Sequence, residues 1–158
     1  NNSKITLENF GIGEKREKLP LKQHSESSSS TINEFNEDSN YFKKKNKILN
    51  LKNDIYNVVD INVIPLHEYI EEKKIEKIDL LKIDTEGHEM QVLNGAKDML
   101  KNNIKFILIE FHLSKIYKNY DKLKIEKILK KNNFILVQKF KFPVLLFEDR
   151  IYMKQNSI

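Results

Sequence analysis

The run Ile78-Asp-Leu-Leu-Lys-Ile-Asp84-Thr-Glu86-Gly87-His-Glu89 constrains the fold more than any other part of the chain. An apolar segment long enough for a buried strand breaks off into acids and a glycine. In open α/β sheets, ligands bind in the crevice at the carboxyl ends of the strands. A functional reading therefore starts at Asp84 and Glu86.

The chain has 158 residues and a formal charge of +5. That length fits a single domain. It has no cysteine, which excludes disulfides and thiolate metal sites; a reducing, cytoplasmic location is expected. No apolar run approaches the roughly 18–20 residues that cross a bilayer. The start, Asn1-Asn2-Ser3-Lys4, has neither a Met nor a signal-peptide core and reads as an internal cut. The positive charge does not imply nucleic acid. Only Arg16 and Arg150 are arginines, and Arg is the better residue for bidentate phosphate recognition. The lysines are scattered among Glu, Asn and Ile, as on a solvated surface.

Patterning predicts the following order. Ile5 to Phe10 reads as a short strand, Gly11-Ile12-Gly13 as a turn, and Leu19-Pro20-Leu21 as an edge strand, where Pro is tolerated. Residues 22–47 lack periodicity, hold the run Ser27 to Ser30, and read as a long polar loop. Loops of that length are often lids or binding loops. Val58 to Ile64 is a strand ended by Pro65, and Leu66 to Lys73 a short helix. After the strand Ile78 to Ile83, Thr85 is placed to cap a helix. Val92, Leu93, Ala96 and Leu100 line one face of it, and Asn102-Asn103 ends it. Ile104 to Phe111 is the next strand and Tyr120 to Lys131 the next helix. Phe134 to Lys139 and Ile151 to Met153 are strands of an antiparallel pair, with a turn at Glu148-Asp149. Alternating strands and helices imply a largely parallel sheet with helices packed on it, the terminal pair giving it an antiparallel edge.

Successive parallel strands joined by one helix are usually neighbours. Asp84 and Glu110 should then share one edge of the sheet. His112 faces the same way as Glu110 if the chain stays extended, and His88 lies in the following helix's first turn. Such a crevice suits three chemistries: a general base on a hydroxyl, a hydrated divalent cation on the acids, or capture of a cationic ligand. Duller roles compete. Asp84 can cap the helix, and Glu86 and Glu89 can offset its dipole. The histidines can be ordinary surface groups, and Lys82 can pair with an acid or snorkel. Glu110 is harder to dismiss, because a lone buried carboxylate is costly. There is no Gly-x-Gly-x-x-Gly, no Walker-type phosphate loop and no Gly-x-Ser-x-Gly. No His pair has zinc spacing, and no resident metal is expected.

The segment Ile78 to Ala96, Ile-Asp-Leu-Leu-Lys-Ile-Asp-Thr-Glu-Gly-His-Glu-Met-Gln-Val-Leu-Asn-Gly-Ala, closely resembles the signature of FkbM-type methyltransferases. Ile107-Leu-Ile-Glu-Phe-His112 resembles that family's next strand, and Asn9-Phe-Gly-Ile-Gly13 the end of an earlier one. Ser28 to Ser30 match its Ser-rich segment. Val63-Ile-Pro-Leu-His-Glu-Tyr69 resembles another family segment, with His67 where the family usually has Asp. The likeness covers most of the chain. The family's first strand with its Gly-rich turn, and its second strand ending in an acid, do not precede Asn1. The chain is thus expected to be the C-terminal half to two-thirds of the domain.

The resemblance implies a Rossmann-like class I methyltransferase sheet, incomplete at the N-terminus, with a C-terminal antiparallel hairpin. It implies S-adenosyl-L-methionine as cofactor and a hydroxyl of a sugar, lipid or small molecule as acceptor. It places Gly11, Ile12, Asp84 and Glu86 at the cofactor and Asp84, Glu110 and His112 in catalysis, with residues 22–47 closing over the acceptor. Taken alone, such a chain should bind cofactor weakly or not at all. The alternative is a non-catalytic remnant or interaction module retaining the α/β core.

Overall fold

The computed structural model describes residues 4–23, 30–36, 38–39, 57–113, 115–141 and 147–155. Strands are β1 (Gly11–Gly13), β2 (Glu17–Gln23), β3 (Asn57–Pro65), β4 (Ile78–Ile83), β5 (Ile104–His112), β6 (Phe134–Lys141) and β7 (Phe147–Lys154). Helices are α1 (Leu66–Glu72), α2 (Glu89–Ala96), α3 (Met99–Asn102) and α4 (Lys122–Lys131).

The strands form two open sheets, ordered β1-β3-β2 and β4-β5-β7-β6, where one sheet was expected. β3 is paired on one edge with β1, parallel, and on the other with β2, antiparallel, and β4 pairs with β5 alone. In the second sheet β4 and β5 are parallel, with Ile83 opposite Ile109. β7 is antiparallel to both its neighbours and lies inside the sheet, leaving β6 at the edge.

The alternation of β5 divides that sheet's two faces. Ile107, Ile109 and Phe111 point into the core, which they share with Ile83, Tyr152, Val92 and Leu93 of α2, and Ile125 and Leu129 of α4. On the other face Leu80 is exposed, and Phe106, Leu108, Ile151 and Met153 are half-buried. Glu110 and His112 belong to this second face, at its carboxyl end.

Several sequence expectations fail locally. Ile5 to Phe10 forms no strand, whereas Gly11–Gly13 does. A Cβ on Gly95 of α2 would lie 1.8 Å from the Gly13 carbonyl oxygen. The two glycines let helix and strand meet backbone to backbone, so the Gly-Ile-Gly run is a packing device rather than a turn. Thr85 does not cap α2, which starts later, after His88, with no side-chain cap. Its hydroxyl bonds Glu89 instead. The helix also breaks at Lys97, whose φ of 45° is left-handed, before α3 resumes. Glu148-Asp149 is no turn but lies within β7. Glu148 is held there by buried Arg150, at 2.5 Å. Of the polar loop, Lys22 and Gln23 belong to β2, and Thr31 bridges back to Lys22. Residues 24–29, 37 and 40–47 lie outside the described residues.

Candidate active site

The chain leaves β4 at Ile83 and turns sharply. Glu86 has φ 50° and Gly87 φ 96°, both left-handed. A non-glycine residue held there carries backbone strain that its surroundings must offset. They do so from two sides. Thr31 Oγ1 and Asn33 Nδ2 donate to the Glu86 carbonyl at 2.7 and 3.0 Å. From below, the wholly buried Glu89 carboxylate accepts from Thr85 N, Thr85 Oγ1 and Gly87 N at 3.0–3.2 Å. Glu89 thus holds the turn together instead of merely offsetting a helix dipole. Burial pushes its carboxyl above the usual range, against the opposing pull of those donors.

The turn brings Glu86 to the end of β5. One ligand atom each of Glu86, Glu110 and His112 lie within 4.8 Å of one another. Glu110 and His112 are buried, and their facing atoms, Oε2 and Nε2, are 3.3 Å apart. Neither has a properly aligned hydrogen-bond partner. Burial raises Glu110 to about 8, with the neighbouring charges of Glu86 and Asp84 adding to the effect. Burial lowers His112 to about 4, opposed by Asp84. Near neutral pH the pair is therefore a protonated acid facing a neutral imidazole, not an ion pair.

Two tyrosines wall the pair. Tyr117 and Tyr120 meet the His112 ring edge-on, at centroid distances of 5.0 and 5.2 Å. Tyr117 donates to Glu86 Oε2 at 2.5 Å, and Tyr120 accepts from the His112 backbone N–H at 3.1 Å. Burial first, and Glu86 next, push the Tyr117 hydroxyl far up, so it remains a donor. Phe35 packs against Tyr117 from the described part of the polar loop.

The sequence-derived residues are placed unequally. Glu86, Glu110 and His112 converge. Asp84 is exposed beside them and paired with Lys82 at 2.7 Å. His88 is buried but faces β1, near Gly13. Gly11 and Ile12 lie in β1 of the other sheet. Sequence reasoning missed Tyr117, Tyr120 and Asp149, which is opposite Glu110 in register. Tyr117 and Tyr120 flank a short irregular segment without periodicity, so only the folded chain shows their role. His67 also found a use: Lys97 donates to its Nε2, and its Nδ1–H donates to the Gly95 carbonyl at the end of α2.

The family model described as the methyltransferase FkbM domain matches residues 1–136. A stretch of 63 residues is 33% identical to hexuronic acid methyltransferase AglP of Haloferax volcanii, covering 40% of this chain and 26% of that protein. The match spans about a quarter of that relative's length. No solved structure matches. With the family match running from the first residue through the β4 turn and the end of β5, the chain belongs to the FkbM methyltransferase domain family.

Proposed function

We propose that this chain supplies the acceptor side of an S-adenosylmethionine-dependent O-methyltransferase with a Rossmann-like sheet. The observation that carries the reading is the buried Glu110–His112 pair at the carboxyl end of parallel strands, beside the strained Glu86 turn. Ligands of open α/β sheets bind at that edge. When bound, the cofactor supplies an electrophilic methyl group on a sulfonium cation. The residues present fit a cation: Asp84 and Glu86 put carboxylates at the strand end, and buried Glu110 Oε2 has no hydrogen-bond partner.

Asp84 and Glu86 would hold the cofactor's cationic end, with Gly11 and Ile12 of β1 on the adenine side. His112 is neutral near pH 7 and offers Nε2 as proton acceptor for the hydroxyl. Only the ionised form of Glu110 would stabilise the imidazolium that results. Tyr117 and Tyr120 keep water from the pair and orient the ring. Alignment of the acceptor oxygen contributes more than acid–base strength in such a displacement. The relative named for hexuronic acid favours a sugar acid as acceptor.

The test is transfer of labelled methyl from S-adenosylmethionine to a hexuronic acid glycoside by the full-length gene product. Asp84→Ala should abolish transfer with the circular dichroism spectrum unchanged. Full activity in that variant would sink the assignment of Asp84.

A further inference from the structure

We propose that Glu86, Glu110 and His112 form a binding site for one divalent transition-metal ion of the Mn²⁺ or Zn²⁺ type. The donor atoms already stand close. Metal–ligand bonds of about 2.1 Å put adjacent ligands about 3.0–3.4 Å apart; Glu110 Oε2 and His112 Nε2 are 3.3 Å apart. Glu86 offers its carboxylate within 4.8 Å of both.

The acids alone would not make a site. The imidazole does: His112 is 6% exposed, and its Nε2 points into the cluster without an aligned hydrogen-bond partner. Glu110 Oε2 faces it in the same condition. Orphaned buried polar atoms are uncommon in folded proteins and call for an explanation such as an ion. Binding of the ion would release the Glu110 proton to solvent, and two carboxylates with a neutral imidazole then balance a divalent charge. The tyrosine hydroxyl on Glu86 orients the ligand from outside, as hydrogen bonds to ligating carboxylates commonly do.

The donor set selects the ion. Imidazole suits Zn, Fe and related ions, whereas Mg²⁺ and Ca²⁺ prefer all-oxygen sites. Three protein ligands also leave a coordination position open, the arrangement of catalytic metal sites. The ion site stands on this geometry alone. Its use, making an acceptor hydroxyl more acidic, rests on the methyltransferase reading. With the ion in place, His112 is a ligand and the hydroxyl proton leaves to solvent.

The experiment is titration of the chelator-treated full chain with Mn²⁺, followed by electron paramagnetic resonance, and with Zn²⁺ and Mg²⁺ by calorimetry. No cofactor or acceptor is present, so the outcome is independent of methyl transfer. Mn²⁺ or Zn²⁺ should bind in one-to-one ratio and Mg²⁺ more weakly. Glu110→Gln and His112→Gln should each weaken binding on the order of tenfold or more. If either core variant fails to fold, Glu86→Gln, at a less buried position, should show the same loss of affinity. Absence of binding at millimolar Mn²⁺ and Zn²⁺, or unchanged affinity in the folded variants, overturns the proposal.

Discussion

Glu110 Oε2 and His112 Nε2 face each other at 3.3 Å inside the protein, one bearing a proton it would lose in water and the other lacking one. The inversion follows from burial at a strand end crowded by Glu86, Asp84, Glu89 and Asp149. Strongly perturbed groups in such a setting are candidates for a functional site. It also makes the surrounding scaffold testable, because each element that sets the pair has a specific support.

The first support is the approach of α2 to β1. Gly95→Ala would place a methyl group 1.8 Å from the Gly13 carbonyl oxygen, with Pro65 backbone at 3.3 Å. Backbone cannot swing aside as a side chain can. Overpacking typically costs about 1–3 kcal/mol, and this contact should reach about 3 kcal/mol or more in urea denaturation. Gly11→Ala meets the Ile61 and Val63 side chains at 3.3 Å, and its nearest backbone atom, the Asn62 carbonyl oxygen, only at 3.9 Å, and should cost clearly less. Equal losses would contradict the backbone-contact account.

The turn itself depends on Glu89. Its folded carboxyl sits above its ordinary value of 4.5 because it is buried. The native state therefore holds more protons than the unfolded state once pH rises above 4.5, and stability must fall with rising pH through that window. Glu89→Gln keeps an acceptor for Thr85 and Gly87 but cannot titrate. In chelator-containing buffer, the stability of the wild type relative to Glu89→Gln should decline from pH 4.5 upward. A difference that is flat or rises with pH would contradict the sign.

Arg150 secures the core side of β7. It is buried, bonded to Glu148, Glu126 and Tyr152, and stacked 4.0 Å from the Phe111 ring centroid. Arg150→Met would leave buried Glu148 without its partner. Removing one member of a buried pair costs about 3–5 kcal/mol, read as a lowered denaturation midpoint. The double variant Arg150→Met, Glu148→Gln should recover part of the loss. A single variant within about 0.5 kcal/mol of wild type, as for a neutral surface change, would show the network to be dispensable.

How much of this was legible in the sequence depended on range. The strand Ile78 to Ile83 and its partner at Ile104 have strong apolar patterns, so their parallel pairing and the meeting of Glu110 with the β4 turn could be inferred. His112 beside Glu110 followed from two-residue alternation alone. The split into two sheets was not legible, because it depends on long-range strand pairing that local patterns do not encode. The strand at Gly11–Gly13 was hidden by glycines that read as a turn yet exist for contact with Gly95. The acids at Glu148 and Asp149 looked like turn residues; only their partners, Arg150 and Glu110, make them strand residues. Tyr117 and Tyr120 gave no local signal, because their role is to wall a group on another element.

The proposed catalytic centre is the Glu110–His112 pair. The most direct measurement of its role is the rate of labelled-methyl transfer from S-adenosylmethionine by the full-length gene product, comparing wild type with His112→Ala. Losing a positioned acid–base group should lower kcat about 10²–10⁴-fold while the circular dichroism spectrum and cofactor affinity stay unchanged. A folded His112→Ala variant that transfers methyl at the wild-type rate would contradict that assignment.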